Sequence, residues 1–244
     1  MKTEWRELRT LIEECERIVF FGGAGVSTAS GIPDFRGSTG LYREEREGDR
    51  PEEILHARYL ARHPERFFSF YRERMLYPWA EPNGAHRALA ALEQRGKLSA
   101  VITQNIDGLH TAAGSERVYE LHGSVLRNYC VACGREYPLA YVQEACGVPY
   151  CTACASLVRP DVVLYGEGLD GRVFEEAARA IAEADLLIVG GTSLTVHPAA
   201  SLVEYFTGDA FAILNLTPTP YDGLASLLIR DPIDEVLEAV ILDV

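Results

Sequence analysis

Short apolar runs that each end in glycine or a small polar residue constrain this chain most. Ile18-Val19-Phe20-Phe21 runs into Gly22, Ala100-Val101-Ile102-Thr103 into Gln104-Asn105, Leu186-Leu187-Ile188-Val189 into Gly190-Gly191, and Phe211-Ala212-Ile213-Leu214 into Asn215. Runs of this length suit buried strands better than helices. Helical signals lie between them. Leu8, Ile12 and Cys15 share one face of an opening helix, with Cys15 read as a buried packing residue. Asn83 caps a helix that runs to Gln94 and stops at Gly96, Pro198 opens another, and Asp231-Pro232 caps a closing helix through Val240. Strands alternating with helices predict an α/β fold, a doubly wound parallel sheet that binds its ligand at the carboxyl ends of the strands.

Two stretches break the alternation. From Leu41 to Tyr77 the chain reads as helical, charged and aromatic, with Pro51 and Pro64 placed as first-turn residues, and is expected to be a helical insertion. The second stretch carries Cys130-x-x-Cys133 and Cys151-x-x-Cys154, separated by 17 residues. That spacing suits a four-thiolate zinc ribbon, and four protein ligands leave no open position, so the zinc is expected to be structural. A redox dithiol is the competing reading of each pair. Cys146 fits neither pair and is expected to be free.

A chain of 244 residues has room for one large domain plus a small module. Its net charge of −13 argues against phosphate-backbone binding, which rests on Lys and Arg, and favours basic partners. Between the cysteine pairs, Gly134 to Tyr150 holds one Arg and no Lys, a poor nucleic-acid surface. No apolar run approaches the roughly 18 residues of a membrane span, and the charged start MKTEWRELRTLIEE does not resemble a secretion signal. A cytoplasmic protein with no membrane association is the expectation.

Gly22 to Gly37 reads GGAGVSTASGIPDFRG and follows a strand. Gly23-x-Gly25 lets backbone approach a pyrophosphate near a helix N-terminus. The spacing alone leaves a simple tight turn open, because Thr28 stands where a dinucleotide fingerprint has its third glycine. Polar residues at the other strand ends strengthen the nucleotide reading: Gln104, Asn105, Asp107 and His110 after one strand, Thr192 and Ser193 after Gly191 at another, and Asn215 after a third. Taken singly, these are turn formers and caps. Together they describe one polar cleft.

The ordered set resembles the sirtuins, NAD-dependent protein deacylases. It comprises GAGVSTASGIPDFRG, TQNIDGLH, Leu121-His122-Gly123, the two cysteine pairs, RPDVVLYGE from Arg159 to Glu167, GTSL from Gly191 to Leu194, and Asn215-Leu216. The resemblance implies a Rossmann-like NAD-binding domain over 1–36, 78–121 and 166–244. A small inserted domain would comprise the cofactor loop and helical insertion at 37–77 and the zinc ribbon at 122–165. It further implies that NAD contacts Gly23, Ala24, Gly25, Thr28, Phe35 and Arg36 at the phosphates and nicotinamide ribose. Gln104, Asn105, Ile106, Asp107 and His122 would surround the nicotinamide, and Gly191, Thr192, Ser193, Asn215 and Ile233 the adenosine half. The acyl-lysine peptide would pair as a strand against Val163, Tyr165, Gly166 and Glu167.

The chemistry implied is deacetylation of acetyl-lysine with NAD and water, giving lysine, nicotinamide and 2′-O-acetyl-ADP-ribose. Loss of nicotinamide leaves an oxocarbenium-like carbon for the acetyl oxygen, and a ribose hydroxyl must then lose its proton. His122 is the candidate acceptor, with Asn105 and Asp107 orienting nicotinamide. Among the other histidines, His56 and His63 are expected to be solvated, His86 structural, His197 at a helix start, and His110 a support to the nicotinamide pocket. Gly22 stands where many sirtuins have Thr, a change that a backbone role tolerates. The Tyr-x-x-Arg pair of succinyl-preferring relatives counts to Phe68 and Tyr71, which would disfavour a charged acyl group. Deacylation of longer uncharged acyl-lysines, protein ADP-ribosylation, an oxidoreductase, and a non-catalytic ribbon module are the alternatives. Acetylated proteins with basic flanking residues are the expected partners.

Overall fold

The computed structural model describes residues 1–34 and 50–242. Phe35, Arg36 and the remainder of the cofactor loop lie outside the described residues. The strands are β1 (Ile18–Gly22), β2 (Leu98–Thr103), β3 (Val118–Glu120), β4 (Gly123–Cys130), β5 (Glu136–Pro138), β6 (Val158–Val162), β7 (Leu186–Gly190), β8 (Ala210–Leu214) and β9 (Leu227–Ile229). The helices are α1 (Thr3–Glu14), α2 (Pro51–Ile54), α3 (Ala57–Arg62), α4 (Pro64–Arg74), α5 (Gly84–Gln94), α6 (Leu109–Ala112), α7 (Leu139–Glu144), α8 (Gly171–Ala182) and α9 (Ile233–Leu237).

Six strands form one sheet in the order β3-β2-β1-β7-β8-β9, and every pairing in it is parallel. The order reverses between β1 and β7, which makes their carboxyl ends the switch point where ligands bind in such sheets. Successive β1 side chains face opposite sides. Ile18 and Phe20 join a core with α1, α5 and α9, while Val19 and Phe21 join a second core with α8 and the 3-10 turns of Ala199–Tyr205. Burial on both faces is why these strands read as continuous apolar runs.

A separate antiparallel sheet, ordered β5-β4-β6, supports a third core. Phe67, Phe68 and Tyr71 of α4 pack there with Val125, Tyr137, Val158 and Leu164. Pro51 and Pro64 occupy first-turn positions as expected, since a missing N–H costs nothing there. Among the described residues no helix is long and apolar enough to cross a membrane.

Three expectations change. Cys15 is half-buried at the end of α1, packed against the edge of the first core. Asp231 does not cap the last helix; its carboxylate accepts hydrogen bonds from Lys2 Nζ and Trp5 Nε1, both at 2.7 Å, which tie the N-terminal helix to the start of α9. The closing helix is α-helical only to Leu237 and continues as a wider π turn over Glu238–Leu242.

Candidate active site

The carboxyl ends of β1, β2, β7 and β8 open into a cleft of about 1050 Å³ whose opposite wall comes from the small sheet and the helices before it. This volume is at the upper end of small-molecule sites. At the switch point the turns after β1 and β7 pack backbone to backbone. Gly25 N donates to Gly191 O at 2.8 Å, and a Cβ on Gly25 would come within 2.7 Å of Gly191 Cα. Gly191 has φ +61°, a left-handed conformation. Gly23 sits behind this contact, where a Cβ would meet Thr192 Cβ at 2.8 Å. Ala24, Gly25 and Thr28 line the cleft itself. Gly22 acts through its backbone, accepting Gln104 N at 3.0 Å.

Gln104, Asn105, Ile106 and Asp107 follow β2 along the cleft wall, and Thr192, Ser193, Asn215 and Ile233 line it from the β7, β8 and α9 side. Gln104 Nε2 donates to Thr192 Oγ1 at 3.1 Å, joining the two halves. Asn215 is held by its own loop, donating to Thr217 O at 2.8 Å.

His122 lies between the two sheets and lines the cleft. Its Nδ1 stands 2.9 Å from Gln104 O. A carbonyl only accepts, so Nδ1 carries the hydrogen and Nε2 is left with a lone pair. Burial depresses the imidazole pKa, and the bond to Gln104 opposes that in part. The neutral, proton-accepting form is therefore favoured.

Ser27 was not singled out in the sequence and links two of the residues that were. Buried at 1% exposure, it donates to Asp107 Oδ2 at 2.7 Å and accepts from Asn105 Nδ2 at 3.0 Å. Asp107 Oδ1 also accepts Leu109 N at 2.9 Å. Burial raises the Asp107 pKa, and the Leu109 and Ser27 bonds hold it back. One cue was available: a serine in a glycine-rich turn facing a polar strand end. Thr28, the next residue and the one at the fingerprint's third-glycine position, drew the reading instead; its hydroxyl caps the turn at Gly25 O.

Val163, Tyr165, Gly166 and Glu167 line the far wall. Val163 N donates to His122 O at 3.0 Å, and Tyr165 exchanges backbone bonds with Leu55 and Ala57, both at 3.0 Å. The segment is closed by an ion pair. Arg159 Nη1 and Nη2 meet Glu167 at 2.5 and 2.9 Å, Arg159 Nη2 also donates to Val162 O, and Glu167 Oε2 accepts Leu164 N at 2.8 Å. Arg159 holds the Glu167 pKa below the ordinary glutamate value against the opposing effect of burial.

The remaining histidines separate by environment. His86 is fully buried and completes a capping box with Asn83 at the start of α5. His110 is buried with its ring centroid 4.7 Å from that of His86. Desolvation lowers their pKa values to about 4 and about 3 respectively. His56, expected to be solvated, instead caps α3 by accepting Arg58 N and packs over Gly166. His63 is exposed beside Tyr59, and His197 is exposed at the cleft edge. Phe68 and Tyr71 are buried in the third core and do not line the cleft. Arg74 and Met75, at the end of α4, do. Side chains on the buried face of α4 cannot reach the opening, whereas its last turn runs out to it.

The four cysteines converge, with Sγ atoms all within 4.8 Å of one another. Cys130 and Cys154 sulfurs lie 3.4 Å apart, and Cys133 and Cys151 sulfurs 3.6 Å. Zinc at about 2.3 Å from each of four tetrahedral sulfurs would set them about 3.8 Å apart, so the set fits a structural zinc ion. Cys146 is exposed and outside the group.

Comparisons with known proteins agree with this geometry. The Sir2 family model matches residues 23–198. An NAD-dependent protein deacetylase of Clostridium acetobutylicum is 52% identical over 96% of this chain and 97% of its own length. One from Clostridium perfringens is 51% identical over 99% of this chain and 100% of its own. A solved Sir2 structure with a deacetylated p53 peptide and 3′-O-acetyl ADP-ribose superposes with a TM-score of 0.91 at 39% identity, covering 100% of this chain and 98% of that one. A family model spanning most of the chain and full-length relatives at half identity establish that the chain belongs to the Sir2 family.

Proposed function

We propose that this chain is an NAD-dependent protein-lysine deacetylase that converts acetyl-lysine, NAD and water into lysine, nicotinamide and 2′-O-acetyl-ADP-ribose. The observation that carries the reading is His122, a half-buried imidazole on the cleft wall whose Nδ1 hydrogen is committed to Gln104 O. Its free Nε2 lone pair takes the proton from a ribose hydroxyl. NAD supplies a cationic leaving group, nicotinamide. Asn105 and Asp107, fixed through Ser27, orient it and keep water out. Ala24, Gly25 and Thr28 with Phe35 and Arg36 take the phosphate side, and Thr192, Ser193, Asn215 and Ile233 the adenosine side. The three separate cores support a division into a large domain (1–36, 78–121, 166–244) and a small one (37–77 and 122–165).

An extended peptide would add to the backbone of Val163–Glu167, which the Arg159 ion pair holds in place. The net charge of −13, with Asp34 and Asp234 on the cleft wall, favours substrates with basic residues beside the acetyl-lysine. Activity on such peptides should fall with added salt. Phe68 and Tyr71 are buried away from the cleft, so the expected preference against charged acyl groups does not rest on those two side chains. Incubation with NAD and acetylated, butyrylated and succinylated peptides, read by mass, tests the reading. Loss of the acetyl group supports it. No peptide change in any arm, or ADP-ribose added to protein, overturns it.

A further inference from the structure

Tyr137 in β5 is buried, with its ring centroid 4.3 Å from that of Tyr141 in a tilted pair, and places its hydroxyl 3.2 Å from Cys151 Sγ. That oxygen accepts Thr152 N at 2.9 Å and lies 3.1 Å from Thr152 Oγ1. Thr152 Oγ1 in turn lies 3.2 Å from Arg135 Nη1. The direction of the chain is set from the sulfur end. A ligating thiolate only accepts, so the phenolic hydrogen of Tyr137 goes to Cys151 Sγ. The Tyr137 oxygen then has only lone pairs to offer, so it accepts from Thr152 N and from the Thr152 hydroxyl, which in turn accepts from Arg135.

We propose that Arg135, Thr152 and Tyr137 form a hydrogen-bond relay that positions Cys151 as the anchoring ligand of the zinc site. The relay rests on the four-thiolate metal reading and not on the catalytic one. Four thiolates around a divalent cation leave excess negative charge at the sulfurs, and donors directed at them offset it. A donor chain that begins at a cation is polarised along its length, which strengthens its last bond. Cys151 also accepts Ala153 N at 3.4 Å. Cys133 and Cys154 are exposed, so metal loss starts from that side of the site and Cys151 lets go last.

The test follows zinc release from the full-length, zinc-loaded protein into a chromogenic chelator. Tyr137→Phe keeps the ring and removes the hydroxyl; release about tenfold faster is expected, in line with other outer-shell losses. Arg135→Met, at an exposed position, should accelerate release by a smaller factor, and combining it with Tyr137→Phe should add nothing, because the relay is already cut. Metal-free wild-type and Arg135→Met proteins should melt alike, which a packing role would not allow. Release from Tyr137→Phe at the wild-type rate, or additive effects of the two changes, overturns the relay. If Tyr137→Phe fails to fold, Arg135→Met and Thr152→Val read the same chain, and wild-type release from both overturns it. A wild-type protein without zinc overturns the metal site and the relay together.

Discussion

Ser27 Oγ lies 2.7 Å from Asp107 Oδ2 and joins that carboxylate to the side-chain amide of Asn105. Ser27→Ala leaves Asp107 equally buried with one donor fewer, so its pKa should rise further and the Asn105 amide should lose its hydroxyl acceptor. A hydrogen bond to a charged group contributes about 1.5–3 kcal/mol. Steady-state kinetics should therefore show kcat/KM for NAD falling by about 10- to 100-fold, with zinc content unchanged. An unchanged kcat/KM would show that the triad does not serve the NAD step.

With His122 as the proton acceptor, its depressed pKa should set the acid limb of activity. The imidazole must be neutral to accept a proton, so kcat should rise with pH through a midpoint below the ordinary histidine value. A midpoint above that value would contradict the burial argument. His122→Ala should remove the limb and the activity together while leaving the fold intact.

His86 and His110 make stability fall on the acid side. An unfolded histidine takes up a proton near 6.5, whereas the folded protein resists until about 4 for His86 and about 3 for His110. The folded state thus binds fewer protons below 6.5, and stability drops as pH falls, by about 1.4 kcal/mol per pH unit for each histidine. Urea melts between pH 7 and 5 should show a shallower dependence in His110→Leu. An identical slope in the variant would refute the assignment.

Arg159 and Glu167 hold the segment that the peptide would pair against. Glu167→Gln removes the charge of a partly buried pair, and peptide KM should rise about tenfold while KM for NAD stays within about twofold. Equal rises in both constants would indicate a general loss of structure.

The four central strands were legible because burial on both faces makes a parallel strand continuously apolar, as in Leu186–Val189. β3 and β9 were not, since three residues at a sheet edge carry no periodicity. Glycines announced the switch point, where Gly25 and Gly191 touch. The cysteine spacing announced the metal site, because two tight turns need only sequence-local geometry. Ser27, Arg159, Arg74 and the bonds from Lys2 and Trp5 to Asp231 were not legible. Ser27 acts on Asp107 80 positions away and Lys2 on Asp231 229 positions away, beyond any local pattern, whereas Arg159 reaches Glu167 across only eight residues but through a turn that shows no periodicity. Side-chain direction at the end of α4, which put Arg74 and not Phe68 at the cleft, depends on which face the third core claims.

The most direct test counts products. Wild-type protein with NAD and an acetylated peptide, quantified by mass spectrometry, should yield nicotinamide, deacetylated peptide and 2′-O-acetyl-ADP-ribose in equal amounts, and a zinc-containing His122→Ala variant should yield none of the last two. Nicotinamide formed without deacetylated peptide, or wild-type yields from His122→Ala, would contradict the account.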